Sequence, residues 1–152
     1  MNGASAEPRP IIPALGGFYR KAADISYLII RVTAGLMLIP HGYPKVMTAG
    51  ASGVAAMLGR YGIGFGEPFA YVLMFLETIG GILIAIGYLT RPIALLLVIE
   101  FLVIIFVAHW PRGYFASANG IELPLLWGLI LLAILLRGGG PYSVDRRIGR
   151  EF

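Results

Sequence analysis

The sequence predicts an all-α integral membrane protein, a four-helix bundle with both termini in the cytoplasm. Hydrophobic residues make up 58% of the 152-residue chain and charged residues only 13%, about half the charged share of an ordinary soluble domain. Four apolar runs follow one another, separated by proline, glycine and basic residues. Runs of this kind are typical of a chain that crosses the membrane several times.

Each apolar run is predicted to form one membrane span. At about 1.5 Å per helical residue, the first three can cross a hydrocarbon core about 30 Å thick, whereas the fourth is short and draws Glu122 toward the headgroups. Ser52 can cap a short amphipathic helix after the first span, and Thr90 can cap the third span. The predicted spans are 25–46, 68–89, 92–110 and 121–136, within a membrane domain 25–138; the loop helix is 52–61, and the tails are 1–24 and 139–152.

Basic residues predict the orientation of the spans. They favour the side that carries the termini, which places that side in the cytoplasm of a bacterial inner membrane. The net charge of +4 favours anionic lipid headgroups as a partner at that side, and the absence of a basic face or motif argues against nucleic acid. The terminal side holds Arg9, Arg20, Lys21, Arg91, Arg137, Arg146, Arg147 and Arg150, and the other side holds Lys45, Arg60 and Arg112.

Ionisable residues inside the spans are functional candidates, because such groups are costly in hydrocarbon and usually face the bundle interior or water. At about 100° per residue, Arg31, His41 and Lys45 fall on one stripe of the first span. Glu77 shares its face with two glycines that permit close helix contact, so Arg31 is its expected countercharge. The alternative interpretation of this pair is purely structural, fixing the helix register.

The third span carries two further candidates. Glu100 has no partner on its own face and is expected to be protonated, because desolvation disfavours its charge. His109 lies nine residues later, about 180° around a regular helix, so the two share a pocket only if the helix distorts before Pro111. His109 is therefore a second-rank candidate. The chain has no cysteine and no Glu-x-x-His motif, so we expect no metal site.

The stretch IPHGYPK, residues 39–45, ends the first span with unusual chemistry. Its two prolines lack the N–H groups that would bond preceding carbonyls, and its glycine leaves room for an approaching group. The sequence thus indicates either a polar ligand niche in the outer half of the bundle or a structural kink. For Glu122, at the start of the fourth span, capping of the helix N-terminus is an equally open alternative to ligand binding. The candidate ligand-binding residues are His41, Gly42, Tyr43, Lys45 and Glu122.

Three stretches, in the same order along the chain, resemble the DoxX family of small four-span membrane proteins. They are RVTAGLMLIPHGYPKV, LETIGGILIAIGYLTRPIALLL and NGIELPLLWGLILLAILLRGGGPYSVD. The resemblance implies a membrane subunit related to quinol or thiosulfate:quinone oxidoreductases or to oxidative-stress complexes, with a quinone as the cofactor. The matching positions are Arg31, His41, Gly42, Lys45, Glu77, Gly80, Gly81, Arg91 and Glu122.

Three functions stay open at this level. The first is a subunit of a redox complex that binds a quinone in the outer niche, and the second is a non-catalytic subunit that assembles or stabilises a larger membrane complex. The third, a proton or small-solute carrier acting through Glu77 and Glu100, is ranked below them. The chain has no self-sufficient catalytic motif and no signature of a covalently bound cofactor, so the expected partners are other membrane subunits or a second copy of the chain.

Overall fold

Helices form all of the regular secondary structure in the computed structural model, which describes residues 11–151. The all-α class is thereby confirmed. Residues 1–10, part of the predicted N-terminal tail, and residue 152 lie outside the described residues. The α-helices within this range are α1 (Gly16–Pro44), α2 (Gly50–Arg60), α3 (Gly66–Phe75), α4 (Gly81–Ile86), α5 (Thr90–Val103), α6 (Glu122–Arg137) and α7 (Val144–Ile148).

Short turns of other helix types join several of these helices. π-helical turns continue α1, connect α3 to α4 and continue α5, so that three long helical stretches result. The π turns are Lys45–Ala49, Leu76–Gly80 and Ile104–His109, and 3-10 turns are Pro13–Leu15, Trp110–Arg112 and Ala116–Ala118.

Within residues 11–151, three helical stretches are long and apolar enough to cross a membrane: Pro13–Arg60, Gly66–Ile86 and Thr90–Arg112. Helix α6 is apolar but has only 16 residues, a length of about 24 Å. Helix α1 begins at Gly16, nine residues before the start that hydropathy predicts. The charged residues that precede the apolar run lower the hydropathy there, but they do not break a helix.

Helices α1 and α4 approach until their backbones touch. A Cβ atom on Gly35 would lie 2.6 Å from the backbone nitrogen of Ala85, and one on Gly81 would lie 2.6 Å from the carbonyl oxygen of Gly35. Only residues without a side chain permit this distance, as at close helix crossings in membranes. Gly81, one of the two glycines on the predicted face of Glu77, therefore sets the spacing of α1 and α4 together with Gly35.

Buried apolar side chains form two separate clusters. The main cluster joins α1, α4, α5 and α6 and contains Ile84, Leu97 and Leu131. A smaller cluster belongs to the hairpin of α2 and α3 and contains Val54, Leu58, Ala70 and Leu73. Gly50, with φ of 65°, lets the chain turn into α2 after the π turn of α1. The end of the bundle away from the termini, the distal end, is therefore built from two packing units.

At the opposite end, residues 138–151 fold over the bundle; we call them the C-terminal cap. Arg31 donates hydrogen bonds from its guanidinium to the carbonyl oxygens of Gly139 and, at 2.7 Å, of Tyr142. The Tyr27 hydroxyl donates to the carbonyl oxygen of Gly138. Arg31 is only 1% exposed, and these backbone carbonyls stabilise its charge in place of water.

Asp145 of the cap holds the turn between α4 and α5. Its carboxylate accepts hydrogen bonds from Leu89 N at 2.8 Å, Thr90 N at 3.0 Å and Thr90 Oγ1 at 2.7 Å. The prediction that the Thr90 hydroxyl caps its own helix is wrong, because Thr90 is the first residue of α5 and its hydroxyl donates to Asp145 instead. Ser52 likewise makes no capping bond, since α2 begins before it at Gly50.

Candidate functional site

A cavity of about 560 Å³ lies at the distal end, between the main cluster and the cluster of α2 and α3. Its walls are mostly apolar. One side is formed by residues such as Leu38, Leu76 and Phe101, and the other by Leu58 and Leu73. Because the cavity occupies the junction of the two packing units, neither unit fills it with its own side chains.

Ionisable side chains meet at the wall of this cavity. Lys45 donates to both carboxylate oxygens of Glu77, and the two form an ion pair. The side chain of Glu77 is 6% exposed and that of Lys45 is 21% exposed. Removing either residue of such a buried pair is costly, because the charge of the other would then be buried without compensation.

The prediction that Arg31 is the countercharge of Glu77 is therefore wrong, because Lys45 takes that place. The physical reason is a stagger between helices. Hydropathy midpoints place Glu77 level with about residue 37 of α1, whereas in the structure Gly42 packs against it, which is a stagger of about five residues or about 7 Å. A Cβ on Gly42 would lie 2.9 Å from Glu77 Cβ. Lys45, one turn beyond Gly42, is then within reach of the carboxylate, and Arg31 is at the other end of the bundle.

Glu100 lies in the same wall, on α5. It is 8% exposed, and no N–H or O–H donor among residues 11–151 bonds either of its carboxylate oxygens. The Glu77 carboxylate is close enough to accept a hydrogen bond from a neutral Glu100. Together with Lys45 and Glu77 it lines the cavity. We refer to Lys45, Glu77 and Glu100 as the ionisable cluster.

Both histidines line the cavity as well. His41 is on the exposed side of α1, at the edge of the cavity. His109 contacts the carbonyl oxygen of Asn119 through Nδ1 at 2.6 Å. The sequence allows His109 and Glu100 to share a pocket only if the helix distorts before Pro111, and the π turn Ile104–His109 is such a distortion. One inserted residue reduces the angle between them from about 180° to about 80°.

Each π turn carries one ionisable residue of the cavity wall. Lys45 begins the first, Glu77 is in the second and His109 ends the third. π turns are energetically unfavourable relative to α-helix and occur frequently at functional sites. No signal in the hydrophobic periodicity identifies them, since one extra residue shifts the pattern no more than ordinary variation does.

The other candidates from the sequence lie outside the cavity lining. Gly42 is buried against Glu77 and Thr78, and Tyr43 is 59% exposed on the far side of the helix. Glu122 accepts a hydrogen bond from Ala116 N at 2.8 Å in the first turn of α6. The polar groups that sequence reasoning missed are Tyr61, Asn119 and Trp127, whose loop or apolar context gives no signal of a site.

The cavity has the properties of a site for an apolar ring that carries polar atoms. Ligand cavities are usually about 300–1,000 Å³, largely apolar, with a few convergent polar groups. Here those groups are concentrated at the ionisable cluster and the two histidines. Within residues 11–151, histidine and carboxylate side chains nowhere gather in groups of three suited to a metal ion.

Comparison with known proteins assigns the chain to a family. The DoxX family model matches residues 26–110. An uncharacterized protein of Haemophilus influenzae is 32% identical over 125 residues, which is 80% of this chain and 90% of that protein. Inner membrane protein YphA of Escherichia coli is 28% identical, over 83% of this chain and 92% of its own length. CatD of Bacillus subtilis, named as a candidate oxidoreductase, is 29% identical over 73% of this chain and 80% of its own.

No solved structure matches the chain. The family match covers more than half of the sequence, and the relatives are covered over most of their length. The apolar helices of the structure agree with the membrane location that the relatives' names state. The chain therefore belongs to the DoxX family and is a multi-pass protein of the bacterial inner membrane.

Proposed function

We propose that this protein is the quinone-binding membrane subunit of a redox complex. The observation that carries the proposal is the distal cavity of about 560 Å³, whose apolar walls end at the ionisable cluster. A quinone has a flat apolar ring with two carbonyl oxygens, so it needs an apolar slot and a small number of hydrogen-bond donors. His41, Lys45 and Glu100 are among the side chains of this lining that can donate a hydrogen bond.

The electrons belong to a partner protein in this proposal. The sequence has no cysteine and no motif for a bound redox cofactor. Electrons from the partner and protons from the aqueous side would together convert the quinone to the quinol, and the ionisable cluster supplies groups that can carry those protons. The candidate oxidoreductase role in the name of CatD supports a redox role for this chain.

The proposal includes a topology. Helix α6, the short apolar helix Glu122–Arg137, is the fourth span, and the bilayer thins around it or its ends lie in the headgroup layer. The C-terminal cap is then cytoplasmic, in agreement with the excess of basic residues at that end. The cavity faces the outer half of the membrane.

Equilibrium dialysis tests whether the cavity binds a quinone. The purified protein is placed in lipid nanodiscs and dialysed against duroquinone, with empty nanodiscs as the blank for partition into lipid. We expect saturable binding of about one duroquinone per chain. Retention equal to that of the empty nanodiscs would contradict the proposal.

A pair of substitutions in one π turn locates the binding site. Val107 lines the cavity, whereas its neighbour Phe106 is 60% exposed and outside the lining. Val107→Trp fills part of the cavity and should lower duroquinone affinity at least about fivefold, since overpacking at a filled site costs about 1–3 kcal/mol. Phe106→Trp places the same indole ring toward the lipid, outside the cavity, and should leave binding unchanged. Equal effects of both variants would place the quinone elsewhere.

A further inference from the structure

Glu100 is the one polar side chain of the cavity that is deeply buried and has unused hydrogen-bonding capacity. No N–H or O–H donor in the part of the chain that the structure describes bonds either of its oxygens, and the residue is 8% exposed. Buried polar atoms in proteins are nearly always bonded to something. A buried carboxyl that receives no hydrogen bond and lies in a cavity wall therefore indicates a group whose bonding a ligand can complete.

The other polar groups of the wall are already engaged or are less buried. Lys45 is bonded to both oxygens of Glu77, and His109 is bonded to Asn119. His41 lies at the exposed edge, and Tyr61 is 37% exposed. Glu100 is thus the group whose pairing state changes most when a ligand enters.

The charges nearby determine which form of Glu100 the site accommodates. Lys45 and Glu77 balance each other, so an ionised Glu100 beside them would be a buried charge without compensation. A neutral carboxyl is accommodated at far lower cost. In that form it has one O–H to donate. The neighbouring Glu77 carboxylate can accept this bond while the cavity is empty, and a ligand carbonyl oxygen is the acceptor that can replace it.

The surroundings of the cavity indicate where the ligand comes from. Val72 of α3 and Leu96 and Ile99 of α5 line the cavity, and they are 44%, 43% and 50% exposed. The cavity therefore reaches the surface of the bundle between α3 and α5 through apolar side chains. A membrane-dissolved molecule meets no polar barrier on this route.

We propose that Glu100 donates a hydrogen bond to a carbonyl oxygen of a bilayer-soluble ring that enters the cavity between α3 and α5. This inference rests on the proposed function and assigns the group that recognises the ligand. It predicts that the protein distinguishes a carbonyl-bearing ring from the same ring without carbonyls, and that this discrimination belongs to Glu100.

Duroquinone and durene provide the matched pair of probes. Both are flat six-membered carbon rings with four methyl groups, and only duroquinone has carbonyl oxygens. Trp127 lines the cavity and reports on it, whereas Trp110 is 57% exposed and outside the lining. Each ligand is therefore titrated into a Trp110→Phe background in nanodiscs. Duroquinone binding is followed by quenching of Trp127, and durene binding by its competition with duroquinone.

The expected result is that the Trp110→Phe protein binds duroquinone about five- to tenfold more tightly than durene, the discrimination typical of one buried hydrogen bond. Glu100→Leu has a similar size and should bind the two rings with about equal affinity. Glu100→Gln retains an N–H donor and should keep a preference of at least about threefold for duroquinone.

The outcomes separate the two proposals. If the Trp110→Phe protein binds neither ring, the proposed function and this inference both fail. If it binds duroquinone and Glu100→Leu keeps the full preference, the quinone site stands and the role of Glu100 is overturned. Equal loss of the preference in Glu100→Gln and Glu100→Leu would also overturn it, because donation of a hydrogen bond would then not be the property that matters.

Discussion

Replacing Lys45 by methionine should destabilise the protein strongly, and replacing Glu77 at the same time should restore most of the loss. Lys45 is the ion-pair partner of Glu77. Without it, a carboxylate that is 6% exposed is left beside Glu100. Breaking a buried ion pair by removing one member typically costs about 3–5 kcal/mol. The lower limit applies here, since the Lys45 side chain is 21% exposed.

The expected change in melting temperature follows from that free energy. At about 2–4 °C per kcal/mol for a chain of this size, a loss of about 3 kcal/mol lowers the melting temperature by about 6–12 °C. Glu77→Leu should cost about half as much, because the flexible lysine that remains can reach water. The double variant Lys45→Met with Glu77→Leu should melt within about 3 °C of the wild type, since apolar replacement of a buried pair is close to neutral.

Thermal unfolding in nanodiscs, followed by tryptophan fluorescence, measures the four proteins of this double-mutant cycle. A second cycle, Arg31→Met with Glu77→Leu, is the control, and its two effects should add within about 0.5 kcal/mol because the residues are at opposite ends of the bundle. Additive effects at Lys45 and Glu77, or strong coupling between Arg31 and Glu77, would refute the pairing.

The remaining predictions concern the cap and the helix contacts. Asp145→Ala removes three hydrogen bonds and should lower the free energy of unfolding by about 3 kcal/mol. The control Arg146→Ala, at an exposed residue, should change it by less than about 0.5 kcal/mol. The same melting assay compares the two variants. Gly35→Ala forces apart two touching backbones and should lower the free energy of unfolding by about 1–3 kcal/mol. Gly59→Ala, with open space around it, should be neutral or slightly stabilising. An equal loss of stability in both variants would count against the close contact. Tyr27→Phe loses the bond to Gly138 and should lower stability by about 1 kcal/mol, measured in the same way; an unchanged melting temperature would show that this bond contributes nothing.

The helical class was predictable because composition and the length of the apolar runs are properties of the whole chain, insensitive to local detail. The partner of Glu77 was not. It depends on the stagger between α1 and the π turn that joins α3 to α4, which the contact of Gly42 with Glu77 sets. Hydropathy midpoints locate helices only to within a turn or more. A shift of about 7 Å was enough to exchange Arg31 for Lys45 as the partner.

The cavity was only partly predictable, for a related reason. Phase at about 100° per residue assumes an unbroken α-helix, whereas π turns interrupt the helices at Lys45, Glu77 and His109. The residues themselves were found because ionisable groups in apolar runs are rare. Asp145 was missed because a carboxylate in a basic, polar segment gives no indication that it caps a turn 55 residues earlier.

The C-terminal cap has a consequence for how the protein is made. Residues 138–151 complete the bonding of Arg31, of the Leu89–Thr90 turn and of Tyr27, yet they are synthesised after every helix they contact. A chain that enters the membrane helix by helix from its N-terminus must hold the Arg31 guanidinium in water or among headgroups until the cap arrives. A chain interrupted before residue 138 thus lacks the carbonyl partners of Arg31 and leaves this end of the bundle charged and unbonded, in contrast to the finished molecule.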